Sequence, residues 1–281
     1  MSRQRSQAIV FTILKIAAAT VVIPIILVVV FIIAKGIGAI NWEFLTAMPR
    51  NGMQEGGIMP ALVGTVILTF GTAIASIPLA LAAAIYLAEY AKDNLLTRLI
   101  RLAIINLAGV PSIVYGLFGL GLFVLALQLG TSIVAGSLTL GLMTLPVVIS
   151  TAEEAIRSVP QSFRVVSVSL GGTRWQTIRQ VVLPQSMPGI LTGVILGLER
   201  AAGETAPILF TVAAFYLPQL PRSALDQTMA LPYHLYVIAT QVPGMPIEIQ
   251  YGTALVLLGL VLSMNVVATI IRNRFRRSRQ W

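Results

Sequence analysis

The chain has 281 residues, of which 57% are hydrophobic and 10% are charged, and it contains no cysteine. A soluble domain carries about 25% charged residues, so this composition indicates a membrane protein. The absence of cysteine excludes disulfide, thiolate and zinc-thiolate chemistry. The net charge of +9 does not indicate nucleic acid binding, because the basic residues cluster at the chain ends and between apolar segments, as membrane topology requires.

Six apolar segments are long enough to cross a bilayer, which requires a helix of about 20 residues. The first follows a basic start, as a signal peptide would, but its uncharged part, 16–34, is longer than a signal core of roughly 7–15 residues. We therefore predict a retained first span and one all-α transmembrane domain over 10–271, between a short N-terminus, 1–9, and a basic tail, 272–281. The predicted spans are about 10–34, 61–88, 103–129, 133–152, 187–213 and 252–271.

Short connections and prolines mark several of these spans. Only a few residues around Gly130 separate the third and fourth spans, which predicts a tight hairpin. Prolines inside a span free backbone groups that neighbouring helices satisfy, and the resulting kinks are candidates for lining a path. Among the prolines that lie inside predicted spans are Pro24, Pro78, Pro111 and Pro146.

The basic residues divide unequally between the two sides of the predicted bundle. One side carries 15 of the 19 Lys and Arg residues, in the N-terminus, two loops and the tail. The other side carries Lys35, Arg50 and Arg222, and Arg200 lies within the fifth span. Because Lys and Arg accumulate on the cytoplasmic side, both termini and the 153–186 loop are predicted to be cytoplasmic.

Two long segments, about 35–60 and 214–251, join the spans on the predicted outer side. The aromatic residues of 231–238 either lie at the membrane interface or contact an outer partner, and these roles are not exclusive. The single histidine, His234, has no His or Cys cluster around it in the sequence. We interpret it as a solvated or interfacial residue and predict no metal site.

The predicted cytoplasmic loop contains an unusual segment over 165–184. Its pattern predicts a helix, a break at Gly171 and Gly172, and a second helix before Leu183 and Pro184. The break is expected because glycine costs about 1 kcal/mol inside a helix. The residues predicted to keep this loop in water are Glu153, Glu154, Arg157, Arg164 and Arg174.

A short helix below the membrane allows two interpretations. Val165, Val168 and Leu170 are apolar anchors suited to a groove on a soluble partner. Alternatively, the helix is amphipathic and lies on the lipid surface, with Trp175 as its interfacial anchor. Physical arguments from the residues alone do not choose between them.

Three charged residues, Glu199, Arg200 and Glu204, lie inside the otherwise apolar fifth span. Charges at membrane depth are costly and usually face a cavity or a partner. Arg200 and Glu204 are four residues apart, so they share a helix face and can pair, whereas Glu199 points roughly 100° away from Arg200. The alternative to a functional site is a structural ion pair that holds two helices together.

The sequence also limits the chemistry of the chain. No Gly-x4-Gly-Lys-Ser/Thr phosphate loop occurs, so the chain is not its own ATPase. Ser112 and Ser150 have no histidine in the membrane to activate them. We therefore predict a chain without catalytic residues and without a bound cofactor of its own.

Three motifs are informative in combination: the segments 108–116, 153–160 and 198–207. The last reads Leu-Glu-Arg-Ala-Ala-Gly-Glu-Thr-Ala-Pro. Together they resemble permeases of bacterial phosphate-specific ABC importers, and the third is closer to the A-type permease subunit than to its C-type partner. The resemblance covers about residues 60–270 and implies the type I ABC importer permease fold.

The 165–184 segment resembles the loop by which ABC importer permeases couple to their ATPases. The family pattern is Glu-Ala-Ala, three residues, Gly, nine residues and Ile-x-Leu-Pro. Gly171 and the pair Leu183 and Pro184 match it, but Val165 stands where the pattern has Glu. The salt bridge of that Glu to the ATPase is therefore not carried over to this chain.

The resemblance implies a site, a coupling surface and a set of partners. The partners are a homologous C-type phosphate permease, a dimeric ABC ATPase that binds ATP and Mg, an external phosphate-binding protein and membrane lipid. The implied location is the plasma (inner) membrane of a prokaryote. The expected substrate path consists of Arg200, Glu204, Glu199 and Thr205. The expected ATPase-coupling residues are Val165, Val168, Leu170, Gly171, Arg174, Leu183 and Pro184.

Two alternative functions remain open from the sequence. The nearer is an ABC permease for another oxyanion, such as phosphonate, molybdate or sulfate. The second is a proton- or ion-coupled carrier that uses Glu199, Arg200 and Glu204 without an ATPase. It lacks the support of an internal repeat, which many secondary carriers show.

Overall fold

The structure is a computed structural model, and it describes residues 3–277. Met1, Ser2 and 278–281, with Arg279 of the predicted tail, lie outside the described residues, as do the side chains of Arg3, Arg5, Arg276 and Arg277. Over 3–277 the chain forms helices and two isolated bridges, which confirms the all-α class. The α-helices are α1 Arg3–Gly36, α2 Trp42–Thr46, α3 Met59–Ile85, α4 Leu95–Ala108, α5 Ser112–Gly119, α6 Ile133–Arg157, α7 Gln161–Ser169, α8 Arg174–Thr177, α9 Leu183–Gly203, α10 Ala206–Thr211, α11 Leu231–Thr240 and α12 Ile247–Arg277.

Five continuous helical segments of the described chain are long and apolar enough to cross a membrane. A sixth crossing requires α4 and α5 with its π-helical extension, which form a pair bent by 102°. Three π turns, Tyr86–Tyr90, Leu120–Ala126 and Ile178–Val182, interrupt or extend these segments. The five continuous segments are Val10–Ala39, Met59–Tyr90, Ile133–Arg157, Arg174–Gly203 and Ile247–Arg274.

The third predicted span, 103–129, is not one straight helix. α4 already begins at Leu95, where Asn94 accepts a hydrogen bond from the Thr97 amide and caps the helix. α4 ends at Ala108, and α5 starts after Pro111. Proline has no amide hydrogen and disfavours a helical conformation at the residue before it, so the chain turns at Pro111 instead of continuing as a kinked span.

The fifth predicted span, 187–213, differs from the structure at both ends. Its helix begins earlier, because α8 runs through the π turn directly into α9. It also stops earlier, at Gly203, and α10 follows after Glu204 and Thr205. Pro207 in the first turn of α10 explains the break, because its ring would clash with the carbonyl four residues before it and it has no amide to donate.

Small residues allow the central helices to pack closely. Gly189, Gly193 and Gly197 repeat every four residues along α9 and face α6. Added Cβ atoms at these positions would contact Ala155, Thr151 and Val148 of α6. This spacing is the small-residue pattern by which membrane helices approach each other. α9 is therefore held against α6 along most of its length.

The end of the bundle that is predicted to be outer is closed by the segment after α10. Backbone amides at the start of α6 donate to carbonyls of Thr211, Asp226 and Ala224. α11 is attached to α3 by a 2.8 Å hydrogen bond from the Leu231 amide to Thr65 Oγ1. The outer segment is thus packed on the spans rather than extended from them.

The interpretation of His234 as a solvated or interfacial residue is wrong. The residue lies on α11 and is buried, with no hydrogen-bond partner for its Nδ1 atom. Burial disfavours the charged imidazolium and lowers the pKa of His234 to about 4. Among the residues the structure describes, no cluster of His, Cys, Asp or Glu is arranged to hold a metal ion.

Candidate translocation and coupling sites

Arg200 and Glu204 lie at the end of α9, where the fifth span is broken. Arg200 is in the last turn of α9, and Glu204 is the residue that follows the helix. Arg200 Nε donates to Glu204 Oε1 at 3.2 Å, and their side chains are 38% and 18% exposed. The pairing that their spacing predicted is therefore present. Non-helical backbone at membrane depth occurs where it is buried in protein or lines a cavity.

The surroundings of this pair are partly polar. Glu204 lines a small cavity together with Thr65 and Thr69 of α3. On another side, Tyr115 of α5 belongs to the same buried cluster as Ala201 of α9. The hydroxyl of Tyr115 donates to the Leu107 carbonyl at 2.8 Å, which fixes the ring across the bend between α4 and α5. The broken end of α9 is therefore enclosed by α3 and α5.

Close approach of α5 to α10 depends on Gly116. A Cβ atom there would lie 3.0 Å from the Ala206 carbonyl oxygen and from Pro207 Cα. This is tighter than ordinary van der Waals contact, so the absence of a side chain lets α5 pack against the start of α10. Thr205, the fourth predicted path residue, is half-buried at this junction, and its carbonyl accepts from the Leu209 amide at 3.1 Å.

Glu199 is not part of this constellation. It lines a separate, mainly apolar groove of about 380 Å³ between α9 and α12, with Ser263 and Met264 on the opposite side. Its Oε1 atom is buried and has no hydrogen-bond partner among the described residues. The rotation of Glu199 away from Arg200 follows the helical periodicity, and α12 is the helix that it faces.

The coupling segment forms the predicted helix, break and second helix. α7 ends in a Schellman motif, in which the Gly172 amide donates to the Ser167 carbonyl and the Gly171 amide to the Val168 carbonyl. Gly171 has a φ of +85°, a conformation that favours glycine. Val165 and Val168 are exposed, and Leu170 is 84% exposed. The structure thus leaves an apolar surface on α7 uncovered.

The remaining predicted coupling residues have other surroundings. Leu183 packs on a buried cluster that includes Ile156 and Val182, and Pro184 is half-buried in the first turn of α9. Arg174 donates to the Glu89 carbonyl, and its guanidinium lies 4.7 Å from the centroid of the Tyr90 ring. Leu183 and Pro184 therefore attach the segment to the bundle and present little surface to a partner.

Two acidic residues organise the same end of the molecule. Glu89 accepts hydrogen bonds from Arg164, the shortest at 2.6 Å. Glu153 accepts from Arg101 of α4 and from Arg157, each at 2.9 Å. The prediction that Glu153 and Arg164 keep the loop in water is wrong, since their side chains are only 12% and 15% exposed.

Sequence reasoning missed Glu89 and Arg101 as structural partners of the loop. Glu89 follows an apolar run and precedes Lys92, so it reads as an ordinary charge at a span boundary. Its partner Arg164 is 75 residues away in the chain. An acid directly at the end of a span was the available signal, but the residue that it pairs with cannot be read from a local pattern.

A bundle of apolar helices with a broken, charged span and an exposed helix between two spans indicates a polytopic membrane protein. Residues 76–279 match the family model described as binding-protein-dependent transport system inner membrane component. The chain therefore belongs to this family of permease subunits. Permeases of this family work with a separate ATPase and with a substrate-binding protein.

Curated relatives match most of the chain. A probable ABC transporter permease protein YqgI of Bacillus subtilis is 34% identical over 85% of this chain and 85% of its own length. The phosphate transport system permease protein PstA 1 of Mycobacterium tuberculosis is 35% identical over 89% of this chain and 83% of its own. A probable PstA of Methanocaldococcus jannaschii is 33% identical over 87% and 86% of the two chains.

Solved structures support the fold. An inward-facing conformation of the MetNI methionine ABC transporter matches with a TM-score of 0.62 and 16% identity, over 76% of this chain and 94% of the solved one. An amino acid ABC transporter matches with a TM-score of 0.53, over 77% and 92% of the two chains. These likenesses show the ABC importer permease fold.

Proposed function

We propose that the chain is the A-type permease subunit of an ATP-driven inorganic phosphate importer in the plasma (inner) membrane of a prokaryote. The observation that carries the proposal is the Arg200–Glu204 pair at the broken end of α9. It occurs in a chain whose relatives include phosphate transport permeases. A translocation path between this chain and a homologous C-type permease would use this pair.

Arg200 suits a phosphate path because its planar guanidinium offers five N–H donors and stays charged. Its bond to Glu204 uses Nε, which leaves terminal donors for an anion. Glu204 offsets the charge of Arg200, so an anion is held without being trapped. Glu204 also offers an acceptor to a phosphate hydroxyl, which fully ionised sulfate lacks. Thr205 follows Glu204 in the chain and would add a hydroxyl beside the pair, and we expect Glu199, which faces α12, to contribute little to this path.

The energy for transport would come from a separate ATPase dimer that binds ATP and Mg. The exposed apolar surface of Val165, Val168 and Leu170 is suited to a groove on that ATPase. Docking of this surface on the ATPase should depend little on salt concentration, because dissolved ions screen charge interactions and not apolar contacts. A phosphate-binding protein would deliver the substrate to the outer end of the bundle.

The test is phosphate uptake into vesicles that contain this chain with its C-type permease and ATPase. Uptake should require ATP, Mg and the phosphate-binding protein together. A proton gradient alone should produce no uptake. Uptake driven by the gradient without ATP would contradict the proposal and support an ion-coupled carrier. Uptake of molybdate, phosphonate or sulfate in place of phosphate would instead identify another oxyanion permease.

A further inference from the structure

Arg164 joins the start of α7 to two other elements at once. Its Nε and Nη2 atoms donate to Glu89 Oε1 at 3.1 and 2.6 Å. Nη1 donates to the Val159 carbonyl at 2.6 Å, and Nη2 donates to the Ile156 carbonyl at 2.9 Å. The side chains of Arg164 and Glu89 are 15% and 9% exposed. All three guanidinium nitrogens are therefore engaged in a site that is largely closed to water.

Arg174 attaches the other arm of the coupling segment to the same place. It donates to the Glu89 carbonyl and lies over the Tyr90 ring. Arg164 precedes the turn at Gly171, and Arg174 follows it. The helices on both sides of the turn are thus tied to the π turn that ends the second span.

That π turn belongs to a helical segment that reaches the translocation site. Met59–Tyr90 is continuous over 32 residues. Its outer part carries Thr65 and Thr69, which line the cavity beside Glu204. α8 is continuous with α9, which carries Arg200. The coupling segment is therefore connected to both walls of the site, through the peptide chain to α9 and through Glu89 to α3.

We propose that Glu89 and Arg164 are positioning residues for energy coupling, an inference that rests on the proposed function. Their ion pair makes α3 move together with α9 when the ATPase displaces the coupling segment. Without the pair, α3 remains attached to the coupling segment through Arg174, which contacts the Glu89 carbonyl and the Tyr90 ring. α3 then follows the displacement less completely than α9 does, and the two walls of the site no longer move together. ATP hydrolysis then continues with less transport.

The first test measures phosphate moved per ATP hydrolysed in vesicles that contain the complete transporter. Arg164→Lys keeps the charge but cannot form the same forked contacts, and Glu89→Gln removes the charge of the acceptor. Each should lower the transport ratio about fivefold or more, the range of a typical coupling energy, while ATP hydrolysis persists. The double variant should be no worse than either single one, because both remove one interaction.

Arg98→Gln is the matched control, because Arg98 is an exposed arginine on α4 at the same end of the bundle. It should leave the ratio unchanged. Wild-type ratios in both Arg164→Lys and Glu89→Gln would overturn the inference. A wild-type complex that shows no ATP-dependent phosphate uptake would instead contradict the proposed function.

A second test needs no destabilising change. The chain has no cysteine, so Asp93→Cys and Ser162→Cys introduce two exposed sites for spin labels that are unique within the chain, on the α3–α4 connection and in the first turn of α7. In the complete transporter, the distance between the labels should stay constant with and without ATP. A nucleotide-dependent change of that distance in the otherwise wild-type chain would show that the two elements move apart and would overturn the inference.

Discussion

Two regions of the molecule hold charged side chains that are at least partly buried. The regions differ in how many of their arginine N–H donors already have a hydrogen-bond partner. At the predicted cytoplasmic end, Arg164 uses all three guanidinium nitrogens, and Glu153 serves two arginines. At the end of α9, the side chain of Arg200 makes one hydrogen bond among the described residues, to Glu204. Every guanidinium nitrogen of Arg164 is thus paired, whereas two nitrogens of Arg200 have no partner among the described residues.

The difference separates charges that hold the fold from charges available to a ligand. A buried guanidinium with all its donors paired gains little from binding another anion, and loss of its partner is costly. A partly exposed guanidinium at a helix break keeps donors for a passing oxyanion. Substitutions in the two regions should therefore produce different defects, which the following predictions separate.

The largest expected effect is loss of transport in Arg200→Gln. The neutral amide cannot hold an oxyanion by charge-assisted bonds, so phosphate uptake should fall about 100-fold or more. Assembly and ATP hydrolysis should persist, because Arg200 is not one of the arginines whose ion pairs hold the predicted cytoplasmic end together. The measurement is uptake and ATP hydrolysis in the same vesicles. Arg200→Lys, which keeps the charge, should retain more activity, and normal uptake in Arg200→Gln would remove Arg200 from the path.

The second largest expected effect is a loss of stability in the Glu153→Gln variant. The change removes the shared charged acceptor of Arg101 and Arg157. The Glu153 side chain is only 12% exposed, and breaking a buried pair costs about 3 kcal/mol, which is an upper value here because Arg157 is 50% exposed. The thermal midpoint and yield of the purified complex should fall. Glu154→Gln is the control, because Glu154 is the next residue in the chain and its side chain is exposed. Equal stability of the two variants would show that the cytoplasmic end is not held by Glu153.

Glu204→Gln tests selectivity in the second region. The amide oxygen is a weaker acceptor for a phosphate hydroxyl, so the preference for phosphate over sulfate should narrow by roughly tenfold, equivalent to about 1.4 kcal/mol. Competition of sulfate with phosphate uptake is the measurement. An unchanged preference would exclude the role of Glu204 as acceptor of the phosphate proton.

Glu199→Gln should have the smallest effect. Glu199 faces α12 and not Arg200, and one of its oxygens already lacks a hydrogen-bond partner. The amide has nearly the same shape, so uptake should change by less than about twofold, as for a substitution outside a site. Rates of phosphate uptake at limiting phosphate provide the comparison. A loss as large as that of Arg200→Gln would place Glu199 on the path after all.

The sequence by itself determined the class of protein, the approximate spans and the helical coupling segment with its break. These follow from local patterns: apolar length, the four-residue spacing of Arg200 and Glu204, and the helix-breaking glycines Gly171 and Gly172. Proline marked the bend before α5 and the break before α10, but sequence reasoning placed Pro111 inside a continuous span.

Only the tertiary structure decided which charges meet. Glu89 and Arg164 are 75 residues apart, and Arg101 and Glu153 are 52 apart. Such pairs depend on how α3, α4, α6 and α7 pack, and no residue near either partner encodes that arrangement. Packing likewise turned Glu199 toward α12, covered Leu183 and buried His234. A local pattern gives the direction of a side chain around its own helix, whereas the neighbour in that direction is set by long-range contacts.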